Sequence, residues 1–292
     1  MGCGSWSRDS FVNYSNIKGV TCDSSGSIIG DYTSQDMFKA RSIDASLSPK
    51  NIMRECCDTE EHPTTIPVIL ALDVTGSMGK AAVEVAKKLN SVMTRLYEEL
   101  SDVEFAVMGV GDLAYDIYPI QLSQFESDIR IAESLDKVFF EYGGGGNGYE
   151  SYSVAWYMGL HHTKLDCWNR NKRGIIITMG DEKLNPYLPQ GKLQGLTGDS
   201  LEKDIETTDL FDDVVRKYDI YHINVLHSVY SRNNASTVKE SFVSVIGSQH
   251  FKEASIDDIE DTIVNIIINS QKNIQSVEPM VLADATSEGI SW

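Results

Sequence analysis

Positive charge is scarce in this chain. Its 292 residues hold 25 Lys and Arg against 43 Asp and Glu, a formal net charge of -18 at pH 7. A surface of that sign repels a phosphate backbone and an anionic bilayer, so neither nucleic acid nor membrane is expected as a partner. Long apolar runs are missing as well. No stretch approaches the roughly 20 residues that a membrane span needs, and the first residues lack the apolar core of a secretory leader. Paired cysteines are also lacking: Cys3, Cys22, Cys56, Cys57 and Cys167 are odd in number, scattered, and form no C-x-x-C. That is a poor disulfide framework, and reduced thiols in a cytoplasmic protein fit it better. His161, His162 and Cys167 have no second paired cluster to complete a zinc site, and read as surface and packing residues.

What the chain does have is enough apolar content, 41%, to bury one large α/β core. Residues 1–63 are rich in Ser, Asp and Gly and read as an irregular arm, with a hairpin around Gly26 to Tyr32. From Ile66 onward strand and helix signals alternate, as in a parallel sheet covered on both faces. Val68 to Leu72 is continuously apolar, as in a central strand buried on both sides. Val85, Leu89, Val92, Leu96 and Leu100 then form the stripe of an amphipathic helix from Lys80 to Leu100. Further strands are predicted at Glu104 to Val110, Ile117 to Leu122, Gly174 to Thr178 and Ile220 to Leu226. Helices are predicted at Ser127 to Val138, Glu150 to His162 and Asp209 to Tyr218, and two more, Ser236 to Ile246 and Ile256 to Ile268, close the domain. Residues 183–208 are longer than ordinary connections and read either as a lid or as a surface insertion. Residues 272–292 read as a tail.

Chemistry is concentrated after the first strand, where Asp73, Thr75 and Ser77 alternate. Side chains two apart share a face, so a carboxylate and two hydroxyls aim at one point. Three such oxygens suit a hard cation that retains water, Mg²⁺ or Mn²⁺. The same residues also suit an ordinary strand-to-helix turn, with Thr75 or Ser77 as helix N-cap. In an open α/β sheet, ligands bind beyond the carboxyl ends of the strands. Asp73 to Ser77, Gly143 to Ser151 and Thr178 to Glu182 all leave such ends.

This ordered set resembles the von Willebrand factor A domain with its metal-ion-dependent adhesion site, in an intracellular, prokaryotic-like member. Asp73-x-Thr75-x-Ser77 matches the family's first motif, D-x-[ST]-x-S, and the resemblance covers about residues 64–271. It implies a Rossmann-like, doubly wound, mostly parallel sheet flanked by helices. It also implies an ion held by the Asp, the two hydroxyls, a Thr of a middle loop and an Asp after the fourth strand. Water, or an acidic residue of a partner protein, would complete the coordination. The other two motifs depart from the pattern. Gly148 stands at the expected Thr, so that water, Asn147 or Glu150 would fill in, and Met179 stands at the expected carboxylate, with Asp181 its substitute. The implied metal set is therefore Asp73, Thr75, Ser77, Asp181 and Asn147. The implied function is a non-enzymatic adaptor, in the manner of intracellular members that serve AAA+ ATPase assemblies.

An enzymatic alternative uses the same residues. Asp73-x-Thr75-Gly-Ser77 followed by Gly180-Asp181 also resembles the haloacid-dehalogenase phosphotransferases, with Asp73 as nucleophile, Thr75 on the phosphate and Asp181 on Mg²⁺. The general-acid Asp that such hydrolases carry two residues after the nucleophile is absent. Gly143-x-Gly145-x-x-Gly148 formally fits a dinucleotide fingerprint, but it lies in mid-domain rather than in the first βαβ unit.

Overall fold

The computed structural model describes residues 4–141 and 147–275. Six strands form the central sheet: β1 (Ile66–Asp73), β2 (Val103–Val110), β3 (Ile120–Leu122), β4 (Gly174–Gly180), β5 (Tyr218–Val225) and β6 (Phe251–Ala254). Their spatial order is β6-β5-β4-β1-β2-β3. Neighbours are parallel except β2 with β3. From the central β1 the chain winds outward to β2 and β3, then crosses to β4, β5 and β6 on the other side. Strand order thus reverses between β1 and β4, and a crevice opens at their carboxyl ends. Pro67 is accommodated because it sits at the start of β1, before pairing with β4 begins at Val68 with Ile175.

Period-two alternation splits each central strand between two cores. Val68, Leu70, Leu72, Ile175, Ile177 and Met179 share a cluster with the helices Gly79–Glu99 and Ile259–Gln275. Ile69, Ala71, Ala106, Met108 and Ile176 pack on the other face with Ser153–His161, Thr207–Val214 and Val229–Ile246. Ser153–His161 is apolar all round and is buried over nearly its whole length, as a helix enclosed on every side should be. The mixed α/β, doubly wound, mostly parallel architecture is the one expected.

Several expectations need correction. Residues 183–208 are not a loop without secondary structure. They carry the helix Gln190–Thr197 and the short strands Lys183–Leu184, Tyr187–Leu188 and Ile205–Glu206, with Leu188 and Leu193 buried. Asn185 pins this segment by donating to Ser153 Oγ at 2.6 Å and accepting from Ser153 N at 3.1 Å. The edge strand β6 was not foreseen, because four residues with two charges make no apolar run. In the opening arm, Ser7 caps a helix, Arg8–Ile17, whose Phe11 joins the first core. The hairpin expected near Gly26 is reduced to one bridge, Cys22 with Ile28. Residues 276–292 of the expected tail lie outside the described residues.

One buried histidine generates a test. His222 of β5 is fully buried and stacks on Phe242 at 3.6 Å, and its Nδ1 lies 2.9 Å from Thr178 Oγ1. Nε2 has no partner. Burial holds the ring far below its ordinary pKa of 6.5, so it is neutral in the fold. The unfolded chain takes up a proton as pH falls through 6.5 and the folded chain does not. The stability is therefore full above that value and declines below it, by up to about 1.4 kcal/mol per pH unit. In chemical denaturation from pH 7.5 to 5.0, His222→Phe is expected to lose less stability than the native chain. Equal losses would contradict this account.

Candidate metal centre

Asp73 ends β1 and is 1% exposed. Its Oδ1 accepts from Thr75 N at 2.8 Å and from Thr75 Oγ1 at 2.6 Å, and its Oδ2 accepts from Tyr152 Oη at 2.9 Å. Thr75 Oγ1 lies 3.3 Å from Ser77 Oγ, which donates to Asp181 Oδ1 at 3.1 Å. Asp181 is fully buried just beyond β4, and its Oδ2 pairs with His227 Nε2 at 3.0 Å. A continuous chain of oxygens thus joins the ends of two adjacent parallel strands.

Thr75 precedes the 3₁₀ turn Gly76–Met78 and Met78 precedes the helix Gly79–Glu99, yet neither position makes a side-chain cap. The hydroxyls of Thr75 and Ser77 are turned onto the carboxylates instead, so the N-cap reading does not describe them.

Local sequence explains the β4 side. Met179 at the expected carboxylate position is fully buried in the first core, and Asp181, two residues on, emerges toward Ser77. Between them Gly180 is obligatory. A Cβ there would lie 1.8 Å from the Tyr152 hydroxyl. That hydroxyl also accepts from Glu182 N at 3.4 Å, so one phenol touches both strand ends.

The electrostatics are those of crowded anions. Burial, above all, raises the Asp73 carboxyl out of the usual range, and Asp181 adds to the shift against the lowering pull of the Thr75 bonds. Glu150 is 4% exposed and is raised further, by burial first and then by Asp73, Asp116, Asp112 and Glu182. Its Oε2 has no hydrogen-bond partner. Burial and neighbouring acids push the Tyr152 phenol well above 10, so it remains a donor. Lys183 offers Asp73 no compensation, because its Nζ stands 3.9 Å from the centre of the Tyr149 ring.

Do these groups suit a divalent ion? Asp73 Oδ1 already accepts two bonds, which leaves one free lone-pair direction on Oδ2, one on each Asp181 oxygen, and the acceptor capacity of the two hydroxyls. Among the described residues no three His, Cys, Asp or Glu side chains converge as a cage. An ion here would draw on Thr75, Ser77 and water as well as on carboxylates, as Mg²⁺ and Mn²⁺ do. The donor set fits.

The structure brings Asp73, Thr75, Ser77 and Asp181 together and leaves Asn147 aside. Asn147 Nδ2 donates to Asp112 Oδ2 at 2.8 Å, and its Oδ1 accepts from Tyr149 N at 3.1 Å, so both ends are engaged elsewhere. Gly148 has φ +65°, a conformation that a Thr would adopt only with strain. Gly143 to Gly146, and with them the dinucleotide-like spacing, lie outside the described residues. His162 is committed to Asp199 and to the Ile52 carbonyl, away from any zinc cluster. Sequence reasoning did not single out Tyr152 or His227. Both stand near the same rim, His227 two residues past the end of β5, and the strand-end rule applied to every polar residue would have flagged them.

No family model matches the chain, and no curated protein matches its sequence. Among solved structures, the vWF domain of the type V pili tip protein Mfa5 from Porphyromonas gingivalis is 13% identical, with a TM-score of 0.43 over 74% of this chain and 98% of that one. The pilus adhesin SpaC from Lactobacillus rhamnosus GG is 12% identical, with a TM-score of 0.46; the match covers 77% of this chain but spans 31% of SpaC. Proximal thread matrix protein 1 from the mussel byssus is 13% identical, with a TM-score of 0.43, over 74% of this chain and 49% of that one.

The Tyr152 and Gly180 contact is testable. Gly180→Ala is expected to cost roughly 1–3 kcal/mol by overpacking. Tyr152→Phe should cost about as much by leaving Asp73 Oδ2 without its donor. Because the added methyl meets the phenol oxygen, the double variant should cost at least about 0.5 kcal/mol less than the sum. Strict additivity in urea denaturation would remove the contact from the argument.

Proposed function

We propose that this chain is a non-enzymatic protein-binding module of the von Willebrand factor A type. Mg²⁺ or Mn²⁺, held by Asp73, Thr75, Ser77 and Asp181, would be presented to an acidic residue of a partner protein. One observation carries the reading: the two hydroxyls of the first turn bridge two buried strand-end carboxylates instead of capping a helix. The ion would supply concentrated positive charge with a coordination position open to an anionic ligand. The residues themselves set its place. Thr75 and Ser77 orient the two carboxylates, Tyr152 holds Asp73 from behind, and His227 holds Asp181.

The surroundings support a protein as the ligand. Nine large apolar side chains are exposed among the described residues; five of them, Tyr115, Ile117, Tyr187, Val229 and Tyr230, follow carboxyl ends of sheet strands, and a sixth, Tyr149, pairs with Lys183 just beyond β4. Exposed apolar groups gathered at one rim mark interaction sites more often than scattered ones do. An assembly around an AAA+ ATPase is the partner class that the family resemblance brings. Free thiols at Cys22, Cys56, Cys57 and Cys167 agree with a cytoplasmic setting. No helix among the described residues is long and apolar enough to cross a membrane. The phosphotransferase reading gains nothing from the geometry: Asp73 is buried and fixed by three hydrogen bonds, and Lys183 faces an aromatic ring.

Mg²⁺ or Mn²⁺ is expected to stabilise the native chain against unfolding, by about 2.7 kcal/mol at a hundredfold excess over Kd, and to leave Asp73→Asn unmoved. A thermal melt with and without chelator reads this directly. Identical melts for the native chain in the two conditions would end the metal reading.

A further inference from the structure

We infer that a cavity at the carboxyl rim of the sheet, with Asp112 in its lining, is a recognition pocket for an arginine side chain of the partner protein. The inference rests on the protein-binding reading above, but not on its ion.

The cavity, about 230 Å³, lies between the segment just after β2, the stretch Asn147 to Ser151 and the stretch Asn185 to Pro189. That is short of the roughly 300–1,000 Å³ of small-molecule sites, so it suits one side chain rather than a whole ligand. Asp112 and Ser151 in its lining are buried, whereas Tyr149 and Tyr187 are exposed and leave it open to solvent. Its walls are fixed. Leu113 N donates to Ser151 Oγ at 3.0 Å, Asn185 Nδ2 to the Tyr187 carbonyl at 3.0 Å, and Thr207 N to the Pro186 carbonyl at 2.9 Å. A guest therefore meets a site that needs little ordering.

The bonding of Asp112 selects the guest. Its Oδ1 accepts from Ala114 N at 2.8 Å and its Oδ2 from Asn147 Nδ2 at 2.8 Å. Both donors are neutral, and each oxygen keeps a free lone-pair direction. Two free directions on one buried carboxylate match the paired N–H groups of a guanidinium. The charge of the surrounding loop agrees. Asp116 Oδ2 accepts from Asp112 N at 2.7 Å, and Glu141 Oε1 accepts from Ile117 N at 2.7 Å and Tyr118 N at 2.8 Å, so further carboxylates are gathered on the same segment of a chain whose net charge is -18. A cationic side chain is drawn in and an anionic one refused. The rings add a third reason. Tyr149 already meets a cation in the folded chain, Lys183 Nζ at 3.9 Å from the ring centre, and Tyr187 offers a second aromatic face. A planar guanidinium can stack on such a face while its fork holds a carboxylate, and an ammonium lacks both the plane and the fork.

The test uses the full chain in the presence of chelator, with N-acetyl-arginine methylamide as the probe and its lysine and leucine analogues as controls, read by amide chemical shifts in NMR. Arginine should shift Ala114, Asn147, Tyr149 and Tyr187 saturably, lysine should bind more weakly, and leucine should leave them unmoved. Asp112→Asn should weaken arginine binding roughly tenfold or more, as loss of a charge-assisted bond does. Tyr187→Leu, at an exposed ring, should weaken it roughly two- to fivefold. Lys183→Met removes a competing cation from Tyr149 and should tighten it. The spectrum of each variant without probe reports its fold. Absence of arginine shifts in the native chain, leucine acting as strongly at the same residues, or arginine binding unchanged in both Asp112→Asn and Tyr187→Leu would overturn the pocket. The melts with and without chelator are independent of that result, so failure of the pocket and failure of the ion are read separately.

Discussion

Two carboxylates buried at the ends of adjacent parallel strands are the constraint around which the upper rim of this molecule is organised. Asp73 and Asp181 have surrendered nearly all their contact with water. Such groups are tolerable only if every available donor is brought to them. The chain answers with a backbone amide, two hydroxyls, a phenol and an imidazole. Each donor then constrains something else. The phenol of Tyr152 forbids a side chain at position 180, and the hydroxyls of Thr75 and Ser77 are withdrawn from the helix that begins after them. Glu150, on the short strand Tyr149–Glu150 that pairs with Lys183–Leu184, is a further buried carboxyl, and no such donor meets its Oε2.

Much of this is legible in the sequence. The run Val68 to Leu72 declares a central strand because burial on both faces leaves no room for polar alternation. The Asp73, Thr75, Ser77 spacing declares a shared direction because the strand period is two. The strand β6 was not legible, because a short edge strand needs little apolar content on its solvent side. Residues 183–208 looked like a loop on account of Pro186, Pro189 and their glycines. What orders them is tertiary: Asn185 bonded to Ser153, and Leu188 and Leu193 inserted into the second core. Local propensity cannot register contacts made thirty residues away.

The candidate site shows the same division. Asp181 could be picked out as a substitute because it lies two residues past Met179, on the same face of an extended segment. Asn147 could not be judged from its position, since its bond to Asp112 depends on how the segment after β2 folds back. Tyr152 has no sequence signature that separates it from an ordinary core aromatic, and only the approach of its hydroxyl to Asp73 gives it a role.

The sheet's outermost ladders have a consequence for how molecules of this protein meet. Both flanking strands are short, three residues in β3 and four in β6, and β3 is overlaid by Arg54, whose guanidinium donates to the Leu122 carbonyl at 2.8 Å. Little bare backbone is left for a neighbouring copy to extend by strand addition, and the Lys252-Glu253 pair breaks any apolar continuity on β6. Mutual repulsion between strongly anionic molecules acts in the same direction. Side-by-side aggregation is thereby discouraged without recourse to a cap or a closed barrel.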